Sequence, residues 1–534
     1  MNISLPMLGA VPVLSCAQSA VFEKDFFAVS GAREADFMQR AAHGVARETV
    51  ALFAEIRSRE LGSVAVLAGA GRNAADALLA ARLLQREKRG QAETGNPGKV
   101  VEIKILLARP LGEMSVPART ALDALLADGA VARDWRGAAD ADAFLGGGAD
   151  VLLDGLLGYN FQPPLRAPLD AIIAWANACV PRFLLRVAVD LPSGMGDGVA
   201  FSGSELLVFA ADATVACGLL KAPLLAQGYA SLRGRLRFAD ICFPASVLPP
   251  ANVHVVGEEF LGRSPLCRQR KPLSDKRDFG HLLILGGSRA MPGALLMNVR
   301  AALRAGVGLV TAFCPESVHA AFAAAAPEAM WVPWPEAPNG TLALEGECLL
   351  REFLPRATAL LAGSGMGRGG EESVLLRSVV SRAMCPLILD AGGLFPDIVE
   401  AASRREGAPA LVLLPHAGEY VRIAGQAAPH EACARWRALI ALKGTPTRVV
   451  DAGREIVICA GGPALARGGS GDLLAGITGA LFAQRLCPCA LQTLVVAVAW
   501  HGAAADRAAR AHGAHGLTAQ ALLGEMGAVL LACE

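Results

Sequence analysis

Short apolar runs alternate with segments of helical periodicity along the first half of the chain. Apolar residues recur through Phe37, Ala41, Val45 and Leu52 at a spacing of nearly 3.6, which predicts an amphipathic helix. The runs that we interpret as strands are 63–68, 100–108, 151–153, 184–189 and 213–216, with helical patterns that include 74–86 and 169–179 between them. Strands that alternate with helices predict a parallel, doubly wound sheet.

The same alternation restarts in the second half, after a stretch at 244–272 that contains charges and a Pro-Pro pair but no clear period. The elements predicted there are strands at 282–285, 309–313, 358–362, 387–389, 411–414 and 455–459, and helices at 293–305, from near Asp472, and at about 491–510. The chain is therefore predicted to have an α/β domain at 1–250, a linker at 251–275 and a second α/β domain at 276–534.

Composition narrows the possible functions. A chain of 534 residues with 53% hydrophobic content exceeds one ordinary core, and its short apolar runs suit sheets buried on both faces. A net charge of +1 without a basic stripe excludes an electrostatic nucleic-acid binder. No run reaches the roughly 18–20 uncharged apolar residues that span a bilayer. Because the 13 cysteines are scattered, we expect reduced thiols and a cytoplasmic protein without a membrane partner.

A glycine cluster in the second half carries the clearest chemical signal. It reads Gly468-Gly469-Ser470-Gly471-Asp472 and opens a predicted helix. Free N–H groups at a helix start, approached closely through glycines, form a site for phosphate oxygens. An aspartate at the end of such a site can take a proton from an attacking hydroxyl. The alternative is a glycine-rich turn in which Asp472 only caps the helix.

Several other polar or glycine-rich turns follow predicted strands of this half. They are Gly286–Ser288 with Met291–Ala294, Gly363–Gly367, Pro415–Glu419 and Lys443–Thr447. Glycine turns after strands are common, and a histidine such as His416 in a loop is more often structural than functional. However, the carboxyl ends of parallel strands meet at one edge of a sheet, where α/β proteins bind their ligands. Together these turns predict one binding site.

In this order, the motifs resemble the ribokinase-like NAD(P)H-hydrate dehydratase family over about residues 276–534. The Pro415–Glu419 and Gly468–Asp472 elements distinguish this family from thiazole and pyrimidine kinases of the same fold. The resemblance implies removal of water from the S form of 6-hydroxylated NADH or NADPH. In the bacterial family ADP drives the reaction and becomes AMP, with ATP as the alternative donor and Mg²⁺ expected on the phosphates.

The resemblance also implies residue roles. Asp472 is the expected catalytic base. The residues expected to contact the hydrated cofactor are Ala294, Gly365, His416 and Asp472. Those expected to contact the adenine nucleotide are Lys443, Gly444, Thr445, Pro446, Thr447 and Gly471. The chain departs from its relatives at Gly392, where they carry an aspartate, and at 462–467, where they carry an asparagine and a threonine and this chain has Arg467.

In the first half, Asp154 and Asp190 each directly follow a buried apolar run and precede a glycine-bearing loop. Two carboxylates at neighbouring strand ends can bind a cation or act as acid and base. The alternative is that both cap helices, as aspartate does at strand-to-helix turns.

The first half resembles the Rossmann-like NAD(P)H-hydrate epimerase domain over about residues 17–244, through Phe37–Ala41, Asp154–Gly158 and Val187–Gly194. The resemblance implies a three-layer domain that interconverts the R and S hydrates. It also implies that K⁺ is held by Asn73, Asp154 and Ser193, and that Asn73 and Asp190 bind substrate. The whole chain would then be both a lyase and an isomerase.

The loop around Asn73 departs from this family. Relatives read G-N-N-G-G-D-G where this chain has Gly71-Arg72-Asn73-Ala74-Ala75-Asp76-Ala77. Alanine cannot cheaply adopt positive φ or admit a phosphate as closely as glycine does, although Arg72 could bind a pyrophosphate.

Two alternatives to a bifunctional repair enzyme stay open. One is a ribokinase-like small-molecule kinase, and the other is a dehydratase whose first domain only binds ligand or mediates assembly. In either case we expect a homo-oligomer.

Overall fold

The structure is a computed structural model, which describes residues 10–93, 100–179, 182–197, 207–257, 260–267, 270–367, 370–407 and 409–532. Within these ranges the chain divides into two compact units, one of residues 11–251 and one of residues 252–532 together with residue 10. Every helix in the ranges is either too short or too polar to cross a membrane.

The first unit is built from strands and helices in alternation. Its strands are β1 (Ala10–Leu14), β2 (Ser63–Ala68), β3 (Glu102–Leu107), β4 (Val131–Asp134), β5 (Ala149–Gly155), β6 (Phe183–Val189), β7 (Ala213–Cys217), β8 (Leu220–Lys221) and β9 (Arg235–Ala239). Its helices are α1 (Cys16–Ser30), α2 (Glu34–Ile56), α3 (Arg72–Glu93), α4 (Val116–Ala127), α5 (Ala138–Leu145), α6 (Leu169–Ala178) and α7 (Ala230–Arg233).

The main sheet of this unit is parallel, in the order β4-β3-β2-β5-β6-β7-β9. Helix α3 packs on β2 and β5, while apolar residues of α5 and α6 form a core with the same sheet. The predicted doubly wound α/β sheet is confirmed. Because strand order reverses between β2 and β5, the loops after these strands diverge and leave a crevice where ligands bind in such sheets.

Strand β9 was not predicted, because two arginines interrupt its apolar residues. Arg237 lies buried, with its Nε 2.8 Å from Glu48 Oε2 on α2. Arg235 forms a second buried ion pair with Glu55. Each cation is neutralised by a carboxylate from the covering helix, so a charged sequence occupies a buried strand.

The second unit repeats the alternation with a longer sheet. Its strands are β10 (Val253–Val256), β11 (His281–Leu285), β12 (Leu309–Pro315), β13 (Met330–Trp334), β14 (Ala359–Ala362), β15 (Leu387–Leu389), β16 (Leu411–Leu413), β17 (Ala438–Leu442), β18 (Thr447–Val450) and β19 (Glu455–Ile458). Its helices are α8 (Pro292–Arg304), α9 (His319–Ala325), α10 (Glu347–Phe353), α11 (Gly370–Arg382), α12 (Pro396–Ser403), α13 (Ala417–Ala424), α14 (Pro429–Trp436), α15 (Ser470–Gln484), α16 (Ala490–His512) and α17 (Ala519–Leu531).

These strands form a sheet in the order β13-β12-β11-β14-β15-β16-β17-β18-β19-β10, parallel except where β18 pairs with its neighbours. Successive side chains of β11 enter different cores. Leu282 and Ile284 pack with residues of α8, α15 and α16, whereas Leu283 and Leu285 pack with residues of α11 to α14. Alternation between two cores produces three layers, with helices on both faces of the sheet.

The predicted linker contains regular structure. Within 251–275, residues Val253–Val256 form β10, which pairs in parallel with β19. This strand is short and includes His254, so its periodicity is too weak to detect. This strand was therefore not predicted, and residues 258–259 and 268–269 of the predicted linker lie outside the described ranges.

Contact between α8 and α15 fixes the start of the glycine-cluster helix. A Cβ added to Gly476 of α15 would lie 2.3 Å from the carbonyl oxygen of Asn298 on α8. Asn298 also donates from its Nδ2 to the carbonyl oxygen of Asp472 at 2.7 Å. The glycine therefore allows the close approach that holds Asp472 in place.

We predict that Gly476→Ala destabilises the second unit by about 1–3 kcal/mol, because a methyl group would push the two helix backbones apart. Gly527→Ala is a matched control, since a Cβ added to this glycine of α17 would meet nothing within 4 Å. The control is expected to gain up to about 1 kcal/mol from better helix propensity. Denaturant unfolding of both variants provides the measurement, and equal effects would contradict this account of the packing.

Candidate active sites

The turns after β11 and β14 meet where strand order reverses in the second unit. A Cβ placed on Gly365 would lie 2.9 Å from the Cβ of Ala294, and Gly365 has φ +70°. Ser288 donates from its hydroxyl to the carbonyl oxygen of Gly365 at 2.9 Å. Two of the residues predicted to bind substrate are therefore in close contact, and Gly365 itself is buried.

The glycine cluster forms the predicted helix start. Gly469 adopts φ +89° and immediately precedes α15, so its left-handed backbone turns the chain into the helix. As in any α-helix, the first N–H groups have no intrahelical acceptor. A Cβ on Gly471 would lie 3.4 Å from the Nζ of Lys443, which places a cation beside these N–H groups. The combination is suited to an anion.

Lys443 is held among carboxylates. Its Nζ lies 2.9 Å from Asp390 Oδ1 and 3.8 Å from Glu419 Oε2. Burial alone would lower the pKa of this lysine, but Asp390, Glu419 and Asp472 outweigh burial and raise it. Ser364 donates from its hydroxyl to the other oxygen of Asp390 at 3.1 Å. Lys443 therefore stays protonated and fixed in place.

Asp472 has an environment suited to a general base. Burial and the negative charge of Asp390 raise its pKa to about 7, while Lys443 opposes this rise. A carboxylate with a pKa near the working pH is more basic than an ordinary aspartate, and about half of it is still ionised at that pH. The structure thus places a carboxylate with a raised pKa in the first turn of α15, next to the anion site.

His416 caps α13. Its Nδ1 accepts hydrogen bonds from the backbone N–H groups of Gly418 and Glu419 at 3.0 and 3.2 Å, and Glu419 accepts from the backbone N–H of His416 at 2.9 Å. The ring is largely exposed, with its Nε2 3.6 Å from Glu419 Oε1. A structural role is therefore present, and Nε2 remains on the accessible side.

A cavity of about 530 Å³ lies beside the start of α15. Among the residues predicted to bind substrate or nucleotide, those that line it are His416, Lys443, Gly444, Thr445, Thr447 and Gly471. Pro446 lies between two of these lining residues in sequence. Arg467 also lines the cavity, but its guanidinium donates to the carbonyl oxygens of Ala464 and Ala514 at 2.8 and 2.9 Å. The helix start therefore opens onto space rather than packing.

The glycine at 392 fits a closed loop. A Cβ there would lie 2.8 Å from the carbonyl oxygen of Gly363 and 2.9 Å from that of Met366. An aspartate at this position would need the backbone to move. Asp390 is therefore the carboxylate that this segment contributes, and its partners are Lys443 and Ser364.

In the first unit, the three residues predicted to hold K⁺ converge. Ser193 donates from its Oγ to Asp154 Oδ1 at 2.6 Å and from its backbone N–H to Oδ2 at 2.8 Å. The carbonyl oxygen of Leu157 accepts from Asn73 Nδ2 at 2.8 Å. Burial raises the pKa of Asp154 to about 6, against the hydrogen bonds that stabilise its ionised form. A monovalent cation near this carboxylate would offset the cost of burying its charge.

Asp190 lies at the end of β6 with a strained backbone, φ +64°. Its Oδ1 accepts from Lys221 Nζ at 2.6 Å and from the backbone N–H of Cys217 at 3.1 Å. The Nζ of Lys221 also lies 4.9 Å from the ring centroid of Tyr159, whose hydroxyl donates to Glu23. Left-handed backbone at a non-glycine residue often marks a functional site.

Sequence reasoning did not assign Glu23, Tyr159 or Asp76 to this site. Burial raises the pKa of Asp76 well above its ordinary value, and the nearby Asp190 and Glu23 raise it further. Burial also raises the pKa of Glu23. The sequence signal that could have identified Glu23 was a carboxylate on the otherwise apolar face of α1. Glu23 lies far from the recognised motifs in sequence. All of these residues line one cavity of about 410 Å³.

The altered loop at Asn73 is helical. Ala74, Ala75 and Ala77 lie in the first turns of α3 and are fully buried, so none of these positions needs positive φ. A Cβ on Gly155 would lie 2.6 Å from that of Ala77, so glycine there accommodates the alanine. The expectation that alanine strains this backbone is therefore wrong.

Arg72 pairs with Glu34, Nε to Oε1 at 2.5 Å, at the edge of the cavity.

These geometries define a class of protein, a two-domain α/β enzyme in which the candidate site residues of each unit lie at a cavity. Two family models match, described as NAD(P)H-hydrate dehydratase over residues 282–526 and YjeF-related protein N-terminus over residues 34–222. Two relatives are each named bifunctional NAD(P)H-hydrate repair enzyme Nnr. The protein from Gloeobacter violaceus is 32% identical over 96% of this chain and 97% of its own. The protein from Moorella thermoacetica is 32% identical over 70% of this chain and 72% of its own.

Solved structures resemble the second unit. One is the ADP/ATP-dependent NAD(P)H-hydrate dehydratase of Bacillus subtilis, co-crystallised with ATP and Mg²⁺. It is 27% identical and covers 52% of this chain and 97% of its own, with a TM-score of 0.43. Another is a ribokinase-like superfamily protein of Enterococcus faecalis, 25% identical over 54% of this chain and 98% of its own, with a TM-score of 0.45.

The chain belongs to the bifunctional NAD(P)H-hydrate repair enzymes. The resemblance predicted from the motifs is confirmed for both halves, and so is the expected fold class.

Proposed function

We propose that the chain repairs hydrated NADH and NADPH. The second domain dehydrates the S hydrate at the expense of ADP, giving AMP and phosphate, and the first domain interconverts the R and S hydrates. The observation that carries the proposal is Asp472, with its raised pKa, beside Lys443 and an open helix start. The names of the full-length relatives support both halves of the reaction.

The chemistry of the second domain begins at the 6-hydroxyl of the hydrate. Hydroxide is a poor leaving group, whereas phosphate leaves readily. Asp472 accepts the hydroxyl proton while the hydroxyl oxygen attacks the β-phosphorus of ADP and AMP departs. The C6–O bond then breaks, the oxygen leaves with the phosphate, and the ring loses a proton to restore the reduced nicotinamide. Lys443 and the N–H groups at 470–472 stabilise charge on the transferring phosphoryl group.

The remaining residues position the two substrates. We propose that Ala294, Gly365 and His416 contact the hydrated cofactor, since Ala294 and Gly365 are adjacent where strand order reverses and the ring of His416 is largely exposed. The segment Lys443–Thr447 and Gly471 would bind the nucleotide, which agrees with their place on one cavity.

Mg²⁺ fits this donor set. The cation prefers oxygen ligands and keeps several waters, so one or two carboxylates and the phosphates of the nucleotide suffice. Asp390, at the carboxyl end of β15, would share it with those phosphates. When bound, Mg²⁺ neutralises charge on the phosphates.

In the first domain we propose that Asp190 binds substrate and that Asn73, Asp154 and Ser193 hold K⁺. The site fits K⁺ because its donors are a buried carboxylate, a hydroxyl, a side-chain amide and a backbone carbonyl. Bound K⁺ would order the loop against the substrate. The lysine salt bridge keeps Asp190 in its strained conformation, ready to accept hydrogen bonds.

Three further expectations remain proposals. The chain would act in the cytoplasm, and the described cysteines, all free thiols, support a reducing compartment. It would form a homo-oligomer. It would take small-molecule substrates only, without nucleic acid.

An assay with mixed R and S hydrates of NADH tests both activities of the intact chain. With ADP present, absorbance of restored NADH is expected to rise beyond the S fraction, faster than spontaneous epimerisation allows. The baseline is the same mixture with a dehydratase that has no epimerase domain. Replacing K⁺ by Li⁺ is expected to slow only the phase beyond the S fraction, because Li⁺ is too small for these donors.

The outcomes separate the alternatives. Recovery that stops at the S fraction would leave a dehydratase with an inactive first domain. A stable phosphorylated product would indicate a small-molecule kinase. The absence of recovery with either ADP or ATP would refute the dehydratase.

The pH dependence of turnover tests Asp472. Since the base must be ionised and its pKa is about 7, the rate is expected to fall about tenfold per pH unit below 7 and to level off above it. Asp472→Asn should abolish turnover while ADP still binds. Asp397→Asn, at an exposed position on α12, is the control and should behave as the parent. Normal turnover by Asp472→Asn would rule out its role as base.

A further inference from the structure

Glu23 lies on α1 and lines the cavity of the first unit, although no motif includes it. The helix that carries it is fixed at two points. Asp197 accepts hydrogen bonds from the first two backbone N–H groups of α1 at 3.0 and 2.9 Å. Further along, Phe26 packs edge-on against Phe243, with the ring centroids 5.1 Å apart. Glu23 and Phe27, four residues apart, therefore share a helix face that is held at the cavity.

The carboxylate of Glu23 is oriented by a tyrosine and is reachable from the cavity. The hydroxyl of Tyr159 donates a hydrogen bond to Glu23 Oε2. The other oxygen, Oε1, makes no hydrogen bond to any residue that the structure describes. The side chain is only half-buried, so it keeps accessible surface where it lines the cavity. A ligand in the cavity can therefore contact this carboxylate.

Glu23 belongs to the same polar cluster as Asp190, the residue that we propose binds substrate. Tyr159 connects the two, because its ring centroid lies 4.9 Å from the Nζ of Lys221. This Nζ lies 2.6 Å from Asp190 Oδ1. The same cavity has an aromatic wall, which consists of Phe27, Phe37 and Phe243. A hydrated nicotinamide ring has apolar faces and a hydroxyl at C6, so its faces suit the aromatic wall and its hydroxyl suits the polar cluster.

The polar cluster contains more carboxyl groups than cations. Glu23, Asp76 and Asp190 line the cavity together with one buried lysine, Lys221. That lysine forms its ion pair with Asp190. Within the described ranges, neither Glu23 nor Asp76 forms an ion pair. Buried carboxyl groups that share one cation do not all ionise at neutral pH, so the cluster retains a proton.

The surroundings of Glu23 favour its neutral form. Burial raises its pKa, and the negative charge of Asp190 adds to this rise. The opposing effects come from its three other polar neighbours, Lys221, Tyr159 and Arg72. Because Tyr159 donates to Oε2, the proton of neutral Glu23 lies on Oε1, the oxygen that is left for a ligand.

We propose that Glu23 is the acid–base residue of the first domain and transfers a proton to and from the 6-hydroxyl of the hydrate. The inference rests on the proposed epimerase function. Neutral Glu23 protonates the hydroxyl, the C6–O bond breaks, and the oxygen leaves as water. The lone pair of the ring nitrogen forms a double bond to C6, which becomes planar. Water then adds to either face of C6, and the Glu23 carboxylate accepts the released proton.

Conversion of purified R hydrate of NADH into S hydrate by the full chain, followed by chromatography without ADP, tests the proposal. After subtraction of the spontaneous rate, Glu23→Gln is expected to lower kcat at least about a hundredfold and to leave KM within about twofold. Glutamine keeps the size of the side chain and an acceptor for Tyr159 but cannot transfer the proton. Asp25→Asn, at an exposed position of the same helix, is the matched control and should behave as the parent.

The pH profile of the same conversion distinguishes proton transfer from a structural role. Because neutral Glu23 gives the first proton, the parent's rate is expected to fall as pH rises through the pKa of this residue. Tyr159→Phe removes a hydrogen bond that lowers that pKa, so in this variant the fall should shift to higher pH. The activity that remains in Glu23→Gln should no longer show the fall.

Three results would overturn the inference. The first is an unchanged kcat in Glu23→Gln, and the second is a loss in that variant that lies in KM alone. The third is a pH profile that Tyr159→Phe leaves unshifted, which decides the matter even if Glu23→Gln fails to fold. Failure of the parent chain to exceed the spontaneous rate would instead refute the proposed epimerase function.

Discussion

Lys443 brings a positive charge to the carboxyl end of β17, and the arrangement of the second site depends on how that charge is balanced. Asp390 and Glu419 hold it, and Asp472 lies close enough for its pKa to respond to it. A buried charge is tolerated only with such partners. Lys443 and its partners come from three different strand-end turns and a helix start, so these interactions also fix the segments relative to one another.

The close packing of α8 and α15 also fixes Asp472 in the second site. Gly476 lets α8 and α15 approach, and Asn298 then binds the carbonyl oxygen of Asp472. The main chain of Asp472 is held by Asn298, and its carboxylate is influenced by Lys443. An aspartate in the first turn of a helix would ordinarily have a low pKa, because the helix N-terminus favours its ionised form. Here burial and a second carboxylate outweigh that effect.

Sequence motifs could indicate which turns of the second unit lie together, because these turns follow strand ends and strand ends meet at one edge of the sheet. The same logic applies to Asp154, Asp190 and Ser193, which lie at or after the ends of β5 and β6. Sequence reasoning could not identify side chains that reach a cavity from elements distant in sequence from the motifs, such as Glu23 on α1 and His501 on α16. A lone polar residue in a helical pattern gives no hint of whether it faces a cavity. The buried ion pairs of β9 were invisible for a similar reason, since each arginine resembles a surface residue until its carboxylate partner is located.

The first domain departs from its family's motif at the start of α3. Alanines replace glycines at the start of α3, yet the backbone there is helical and Gly155 accommodates Ala77. Asn73 still lies beside Leu157 and Ser193. What differs is the edge of the cavity, where Arg72 is paired with Glu34. An incoming pyrophosphate would compete with that carboxylate for the guanidinium.

In the proposed reaction the 6-hydroxyl oxygen becomes a phosphate oxygen before it leaves. An S hydrate that carries ¹⁸O in this hydroxyl tests this step directly, with mass spectrometry of the products after a single turnover with ADP. We expect the label in inorganic phosphate, because the C6–O bond breaks after the oxygen has bonded to phosphorus. Label released as water would contradict it, since water would then have left without phosphoryl transfer.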